Sequence, residues 1–240
     1  MKLYRFFLDG TPPYLARHYW WAYLWRPAVW FFDHQPIINA ILFGKYNKLM
    51  SATLQRLEFS PNKNILQLTC VYGSLTSSIL KLLSPGYLHI TDVSRIQLEK
   101  IRSKVIDKSR LLTTRMNAEQ LAYKDNAFTT VVLFFLLHEM PIESRRNTLS
   151  ECMRVLSLNG KLVMTEYAPL PSKHILYRFS LSRLLITKLE PFLASYWEDD
   201  IVALLRDSGR PYGKSIEIVS DTRVYSEFYR VTEFRVIQAN

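Results

Sequence analysis

The stretch 64-NILQLTCVYGSLTSSIL-80 determines the fold that we predict for this chain. It reads as a short buried strand at residues 65–68, a tight turn around Gly73 and a helix that begins near Thr76. A strand that turns directly into a helix points several backbone N–H groups at one place, and α/β enzymes bind nucleotide-like ligands there. We therefore expect a ligand site at this turn.

Strands and helices alternate along the rest of the chain. Further strands are predicted at residues 87–91, 110–117, 128–137, 161–166, 215–222 and 226–237, and helices at about 76–83, 94–108, 141–158 and from Asp199 or Asp200 to Gly209. The apolar run of the 128–137 strand is typical of a central parallel strand that is covered on both faces. We therefore predict an α/β fold with a doubly wound, Rossmann-like sheet of seven strands, mostly parallel, with an antiparallel end pair.

Two segments lie outside this alternation. Residues 1–58 are predicted to form an N-terminal aromatic helical cap, and residues 59–240 the α/β domain. Within that domain, residues 168–198 are apolar on every side and are predicted to form a helical lid insert after the fifth strand. The cap either packs on the core or contacts a ligand, and the insert covers an apolar pocket or touches lipid. The cap holds four of the five tryptophans: Trp20, Trp21, Trp25 and Trp30.

Composition limits the classes of function. Only two cysteines, Cys70 and Cys152, occur and they form no CxxC pair, which indicates free thiols and a cytoplasmic location. No apolar run is long enough to predict a transmembrane helix. The net charge of +10 fits nucleic acid or an anionic membrane. Residues 171–189 contain four cations and no acid among many apolar residues, which favours peripheral contact with the inner face of a membrane.

Polar residues follow the second and third predicted strands. The turn after the first strand has a single glycine, so it matches the G-x-G-x-x-G pattern of dinucleotide binding poorly. Asp92 can accept hydrogen bonds from ribose hydroxyls or cap the next helix. Asn117, which precedes Ala118 and Glu119, can read an adenine edge or serve as a turn residue. These positions are suited to a cofactor that contains adenosine.

His138 and Glu139 follow the fourth predicted strand. Adjacent side chains diverge and no third ligand lies at a useful spacing, so the sequence predicts no metal ligands. His138 is either a structural histidine or an acid/base group that faces the substrate.

These motifs resemble those of the class I S-adenosylmethionine-dependent methyltransferases, over residues 64–166 and the closing strand pair. The first motif of that family is acid-x-G-x-G-x-G, and 67-QLTCVYG-73 falls onto it position by position. Gln67 replaces the acid, Thr69 and Val71 replace two glycines, and the third glycine remains. The resemblance implies that S-adenosylmethionine binds at the following residues: Gln67, Thr69, Cys70, Val71, Gly73, Asp92, Val93, Asn117, Ala118, Glu119 and Phe134.

The residues at which this chain departs from that motif resemble those of the rhodoquinone-biosynthesis (RquA-like) family. The matching segments are 19-YWWAYL-24, 31-FFDHQ-35, 70-CVYGSLT-76 and 90-ITDV-93. The resemblance implies that a ring methoxy group of ubiquinone is exchanged for an amine supplied by S-adenosylmethionine, with divalent manganese assisting. The family has V-Y-G-D-L-T-P at the turn, so Ser74 stands here in place of a carboxylate that would hold a cation or steer an amine.

We therefore predict a transferase that uses S-adenosylmethionine on a lipophilic, quinone-like substrate at a membrane surface. Whether it moves a methyl or an amino group stays open. The predicted catalytic residues are His138, Tyr72 and Ser74, and the predicted substrate contacts are Tyr19, Trp20 and His138. One alternative is a cofactor-binding or lipid-binding relative without catalysis. A nucleic-acid methyltransferase ranks lower because no N/D-P-P-Y/F signature follows strand four, and no nucleic-acid partner is expected.

Overall fold

The computed structural model describes residues 10–57, 64–83, 86–169, 174 and 180–239. Within them lie seven strands: β1 (Ile65–Leu68), β2 (Leu88–Asp92), β3 (Leu111–Arg115), β4 (Phe128–Phe134), β5 (Leu156–Tyr167), β6 (Lys214–Val224) and β7 (Tyr229–Gln238). They form one sheet in the order β3–β2–β1–β4–β5–β7–β6. Strands β1 to β5 pair in parallel, whereas β7 is antiparallel to both β5 and β6. This confirms the predicted fold class and its antiparallel end pair.

Short helices precede the sheet and longer ones surround it. A π-helical turn (Leu15–Tyr19) is followed by α1 (Trp20–Tyr23), α2 (Arg26–Phe32), α3 (Gln35–Ile41), α4 (Tyr46–Leu54), α5 (Leu75–Leu82), α6 (Arg95–Lys104), α7 (Ile142–Val155), α8 (Ser180–Leu189), α9 (Leu193–Glu198) and α10 (Ile201–Gly209). Helices α8 and α9 lie in the segment predicted as a helical insert. The predicted domain boundary at residue 58 and positions 170–173 and 175–179 of the insert lie outside the described residues, so this division stays a prediction.

Alternation along the central strands builds a core on each face of the sheet. Ile65 of β1 packs with Leu49 and Ile79, which come from α4 and α5. Its neighbour Leu66 packs on the opposite face in a cluster that includes Leu149 of α7. All four residues of β1 are buried. This two-sided burial leaves the carboxyl ends of the parallel strands as the open edge of the sheet.

Several predicted boundaries are wrong, and two of them lie at changes of backbone direction. Strand β4 ends at Phe134 instead of residue 137, because Phe135 adopts a left-handed φ of 55° and the backbone N–H groups of Leu136 and Leu137 donate to the Glu166 carboxylate. Helix α7 ends at Val155 and the chain passes directly into β5, with the predicted helix stop at residues 159–160 inside that strand. In both places an apolar pattern continues through a change of backbone direction, so composition alone does not mark the boundary.

Capping residues fix two helix starts as the sequence predicts. The Ser94 hydroxyl accepts a hydrogen bond from the Gln97 amide at 3.3 Å, and the Asp200 carboxylate accepts from Val202 and Ala203 at the start of α10. Asp200, not Asp199, is therefore the cap. Among the described helices, none has both the length and the apolar character needed to cross a bilayer.

Candidate active site

A cavity of about 440 Å³ opens at the carboxyl ends of the parallel strands. Its sheet wall contains residues that end or follow successive strands: Thr69, Cys70, Val71 and Tyr72 for β1, Asp92 and Val93 for β2, Asn117 and Ala118 for β3, and Phe134 for β4. The opposite wall comes from the N-terminal helices and from the end of α8, with Tyr19, Tyr23 and Glu190 among its members. The edge at which the sequence predicts a cofactor is thus the wall of an open cavity.

The cavity brings together eight of the eleven predicted cofactor residues, along with Tyr19, Tyr72 and His138. Gln67, Gly73, Glu119, Ser74 and Trp20 are not among the described residues that line it. Trp20 is half exposed, and the Ser74 hydroxyl donates to the sulfur of Met50 at 3.4 Å. Proximity alone does not assign a role, so the individual roles stay predictions.

The Gln67 side chain stabilises the turn after β1 through two hydrogen bonds. Its side-chain amide donates to the carbonyl of Thr69 at 3.0 Å, and its carbonyl oxygen accepts from the Thr76 hydroxyl at 3.0 Å. Thr69, which stands where the family motif has a glycine, adopts a left-handed φ of 71°. A β-branched residue in that region is strained, and the buried Gln67 amide supplies a bond that holds it there.

Asp92 joins the ends of β1 and β2. One carboxylate oxygen accepts from the Cys70 amide at 2.8 Å and the other from the Ser94 amide at 2.7 Å. Burial raises the pKa of Asp92 to about 6, although these two backbone hydrogen bonds oppose the rise. The carboxylate is therefore ionised at neutral pH, and each oxygen keeps acceptor capacity toward the cavity.

Asn117 forms a turn at the cavity wall, and its recognition of adenine stays a prediction. Its side-chain oxygen accepts from the Glu119 amide at 3.0 Å, which is a turn-forming bond, and Asn117 also lines the cavity. Glu119 instead accepts from the side chain of Asn147 at 3.3 Å. Asn117 is thus held rigidly at the cavity wall, and Glu119 is directed to a neighbouring helix.

The N-terminal helices close the turn around Gly73. The Tyr46 hydroxyl accepts hydrogen bonds from the amides of Ser74 at 2.7 Å and Leu75 at 3.0 Å, at the start of α5. The Gly73 amide donates to Asp33 at 3.1 Å, and the Lys104 ammonium donates to the Gly73 carbonyl at 2.7 Å and also to Asp33. A side chain at position 73 would place its Cβ 2.5 Å from the Tyr46 oxygen.

These contacts correct the expectation that the N–H groups at the start of this helix face a ligand. Two of them are bonded to Tyr46 instead, and sequence reasoning missed this residue because its partner lies 28 positions away. Asp33 belongs to the 31-FFDHQ-35 motif, which was the available signal for its part in the turn.

A buried acid/base cluster forms the end of the cavity near β4. His138 Nδ1 lies 2.8 Å from Glu166 Oε2, and His138 Nε2 lies 3.8 Å from Glu190 Oε2. The Tyr19 hydroxyl donates to Glu190 at 3.0 Å, and the Tyr23 hydroxyl donates to Glu139. Glu166 also holds the turn after β4, so it fixes both the backbone and the imidazole.

The cluster holds protons that solvent-exposed groups of the same type would release. Burial by itself lowers the pKa of His138, but the carboxylates of Glu166, Glu190 and Glu139 outweigh it and raise the pKa to about 9. Burial raises the pKa of Glu139 to about 8 against the opposing effect of His138, and burial also raises the pKa of Glu190. His138 is therefore protonated at neutral pH.

The expectation that no third ligand accompanies His138 and Glu139 is wrong. One donor atom from each of His138, Glu139 and Glu190 lies within 4.8 Å of the others. Glu190 comes from the insert, 51 residues beyond Glu139 along the chain, so spacing within one motif does not reveal it.

Known proteins resemble the chain over this region. Residues 65–160 match a family model described as a methyltransferase domain. A demethylmenaquinone methyltransferase of Lactiplantibacillus plantarum is 30% identical over 132 residues, which cover 53% of this chain and 55% of that protein. A ubiquinone/menaquinone biosynthesis C-methyltransferase UbiE of Vibrio cholerae is 24% identical over 155 residues, covering 60% and 59%. The chain thus spans little more than half the length of these relatives.

Solved structures resemble the chain over most of its length. The [4+2]-cyclase SpnF has a TM-score of 0.60 at 16% identity and covers 90% of this chain and 97% of its own. The N-methyltransferase NodS of Bradyrhizobium japonicum, in complex with S-adenosylhomocysteine, has a TM-score of 0.54 at 14% identity, covering 86% and 90%.

The chain therefore has the fold of the class I S-adenosylmethionine-dependent methyltransferases, and residues 65–160 match the model of a methyltransferase domain. Over little more than half of its length the chain is weakly similar to methyltransferases of quinone biosynthesis. Because one of the structural likenesses is a cyclase, the fold alone does not define the reaction.

Proposed function

We propose that this chain binds S-adenosylmethionine in the cavity and transfers a group from it to a lipophilic, quinone-like ring. The cavity carries this proposal, because polar residues suited to a nucleoside lie on its sheet wall and aromatic residues form much of the opposite wall. The similarity to two methyltransferases of quinone biosynthesis supports a quinone as the acceptor. A lipophilic ring of this kind partitions into lipid, so the proposal includes action at a membrane surface.

Asp92 is the proposed ribose contact. Its carboxylate is ionised at neutral pH and already oriented by two backbone amides, so hydroxyl groups can donate to its remaining lone pairs without rearrangement. Asn117 and Ala118 are the proposed neighbours of the adenine base, and Thr69 and Val71 those of the methionine chain. These assignments agree with the order of the strands along the cavity wall.

His138 and Glu139 are the proposed proton-handling residues. A protonated His138 can donate a hydrogen bond to an oxygen of the acceptor ring and stabilise negative charge there. Glu139, whose pKa lies at about 8, can take up or release a proton near neutral pH. Tyr72 stacks on Tyr23 with a centroid distance of 5.8 Å and faces the same cavity, where its ring can lie against the sulfonium or the quinone.

Amine transfer to ubiquinone, with manganese, is the finer form of the proposal and depends on the rhodoquinone-family motifs. In this form a cation would replace the proton on His138 Nε2, since a ligating nitrogen carries none. His138 Nε2, Glu139 and Glu190 would hold it, because they offer one nitrogen and two carboxylates within 4.8 Å, and Glu166 orients the imidazole through Nδ1. A divalent cation there would supply Lewis acidity toward a ring oxygen. Loss of the free manganese signal in electron paramagnetic resonance tests this site, with Glu190→Gln against the exposed control Glu143→Gln.

Calorimetry with S-adenosylhomocysteine tests the cofactor site. We expect binding to the wild type and a loss of about tenfold or more in affinity for Asp92→Asn, since a hydrogen bond from a ligand to a charged group contributes about 1.5–3 kcal/mol. Asp107→Asn, which changes an exposed acid outside the cavity, serves as the matched control. Absence of binding to the wild type overturns the proposal.

Mass spectrometry of products tests the transfer. The wild type is incubated with S-adenosylmethionine and short-chain analogues of demethylmenaquinone and ubiquinone, with and without manganese. A product heavier by one methylene group identifies methyl transfer, and a methoxy-to-amine exchange identifies amine transfer. Cofactor binding without any product from either quinone would instead favour a relative that lacks catalysis.

A further inference from the structure

The N-terminal helices expose large apolar side chains. In the described part of the chain, sixteen large apolar residues are exposed, and seven of them lie within residues 20–43. Trp25 and Trp30 are exposed by 53% and 60%. We call this surface the cap face; its members are Trp20, Trp21, Trp25, Trp30, Phe31, Ile41 and Phe43.

In helices α1 and α2, small residues are buried while four large apolar residues are exposed: Trp20, Trp21, Trp30 and Phe31. In α2, Ala28 and Val29 are buried, whereas Trp30 and Phe31 point outward. In α1, Ala22 is buried beneath exposed tryptophans. Helices that only pack on a core have the opposite arrangement, so this surface is suited to an apolar partner outside the chain.

The charge of the same segment selects an anionic partner. Residues 10–57 contain five lysines and arginines and a single acid, Asp33. The Asp33 side chain is only 5% exposed and is neutralised by Lys100 and Lys104. Arg17 and Lys48, by contrast, are exposed. Tryptophan favours the boundary between lipid headgroups and acyl chains, and cations near it favour anionic lipid.

The cap face is continuous with the mouth of the cavity. Trp21 and Ile41 are exposed and also line the cavity, and so does Leu189 at the end of α8, which is 51% exposed. An apolar ring can therefore pass between the cap face and the cavity along apolar side chains without entering water.

We propose that the cap face docks on the surface of an anionic phospholipid bilayer and places the cavity mouth against the lipid. This inference rests on the proposed function in one respect, namely that the substrate in the cavity is lipophilic. The docking itself depends only on the exposed tryptophans and the cations around them.

Vesicle cosedimentation of the full chain tests the docking. The probes are vesicles of phosphatidylcholine alone and vesicles of phosphatidylcholine mixed with phosphatidylglycerol. We expect binding to the anionic vesicles that weakens as salt is raised, and a loss of about tenfold or more in the double variant Trp25→Ser/Trp30→Ser. The matched control is Ile106→Ser/Leu158→Ser, which removes two exposed apolar residues outside the cap face and should bind as the wild type does.

Two further measurements separate the possible failures. Calorimetry with S-adenosylhomocysteine should give equal affinity for the wild type and both double variants. If the wild type does not bind this ligand, the proposed function is refuted, but the docking is not. Equal vesicle binding by all three proteins, or none by the wild type, overturns the docking. If the wild type forms a dimer in analytical ultracentrifugation and only the tryptophan variant is a monomer, a second copy covers the cap face and the lipid proposal is refuted.

Discussion

Replacing Tyr46 by phenylalanine removes one oxygen atom that joins the N-terminal helices to the start of α5. That oxygen accepts hydrogen bonds from the Ser74 and Leu75 amides, at 2.7 and 3.0 Å, and Tyr46 is fully buried. Both amides belong to the first turn of a helix, where no carbonyl of the same helix can take them. An unpaired buried donor costs about 1–3 kcal/mol, so the loss of the acceptor for two donors predicts a fall of about 2–6 kcal/mol in the free energy of unfolding.

Urea denaturation followed by circular dichroism measures this change. The control is Tyr212→Phe, which removes a hydroxyl that makes a single 3.3 Å contact with Ser150 from a half-buried side chain. We expect the control to change the free energy of unfolding by less than about 1 kcal/mol. Because Tyr46 also lines the cavity, S-adenosylhomocysteine should recover part of the lost stability through binding to the native state.

Equal free energies of unfolding for Tyr46→Phe and Tyr212→Phe would refute the proposed stabilising role of the Tyr46 hydroxyl. Such a result would mean that water or a shifted backbone satisfies both amides at no cost, and that Tyr46 contributes only its ring. A fall in stability that ligand does not change would keep the cap role of the hydroxyl but remove the coupling between the cap and the cavity.

The remaining predictions concern strain, protonation and a buried ion pair. Thr69→Gly should raise the free energy of unfolding by about 1 kcal/mol in urea titrations. Relief of the strained left-handed φ is worth about 1–3 kcal/mol, which exceeds the cost of the flexibility that glycine adds to the unfolded chain. A clear decrease would show that the threonine side chain contributes more stability than its strain costs. His138 has a folded-state pKa of about 9 against 6.5 unfolded, and Glu139 about 8 against 4.5, so both stabilise the native state at low pH and this contribution is lost as pH rises through their folded-state values. Melting temperatures should therefore fall from about pH 4.5, where the Glu139 contribution begins to be lost, to about pH 9, where the His138 contribution is gone. Glu139→Gln should flatten the lower part of that profile, between about pH 4.5 and 8, and an unchanged profile contradicts the assignment. Arg145 is fully buried and lies 2.9 Å from Asp199, so Arg145→Ala should cost about 3–5 kcal/mol in urea titrations, and the double variant with Asp199→Ala should cost less than the sum of the two single changes.

The fold was predictable from local patterns because the decisive elements are short and buried on both faces. The run at residues 65–68 alternates between two cores, and the turn at Gly73 has the one glycine whose positive φ of 82° and missing Cβ the structure requires. The position of Asp92 on the cavity wall was predictable for the same reason, since strand ends in a parallel sheet share one edge.

The rest of the site depends on contacts between distant segments. Glu190 reaches His138 from the insert, and Tyr23 reaches Glu139 from across 116 positions of the chain. The periodicity of a single segment does not predict contacts between segments that are far apart in the chain. Gln67 shows a second limit, because an alignment to the family motif predicts a ligand contact, whereas burial turns its amide toward Thr69 and Thr76.

Ser74, which stands where the rhodoquinone family has an aspartate, makes contacts that the sequence does not predict. The sequence suggests that Ser74 replaces a carboxylate needed for a cation or an amine, but its hydroxyl donates to Met50 and its amide to Tyr46, at the start of α5. The Ser74 side chain makes no capping hydrogen bond to this helix, because the Tyr46 hydroxyl accepts from the first amides instead. The nitrogen and carboxylate groups suited to acid/base work or to a cation instead lie at His138, Glu139 and Glu190. Ser74 thus contacts Met50 and Tyr46 and is not among the described residues that line the cavity, so the cation site that we propose does not require a carboxylate at this position. Its predicted catalytic role stays a prediction.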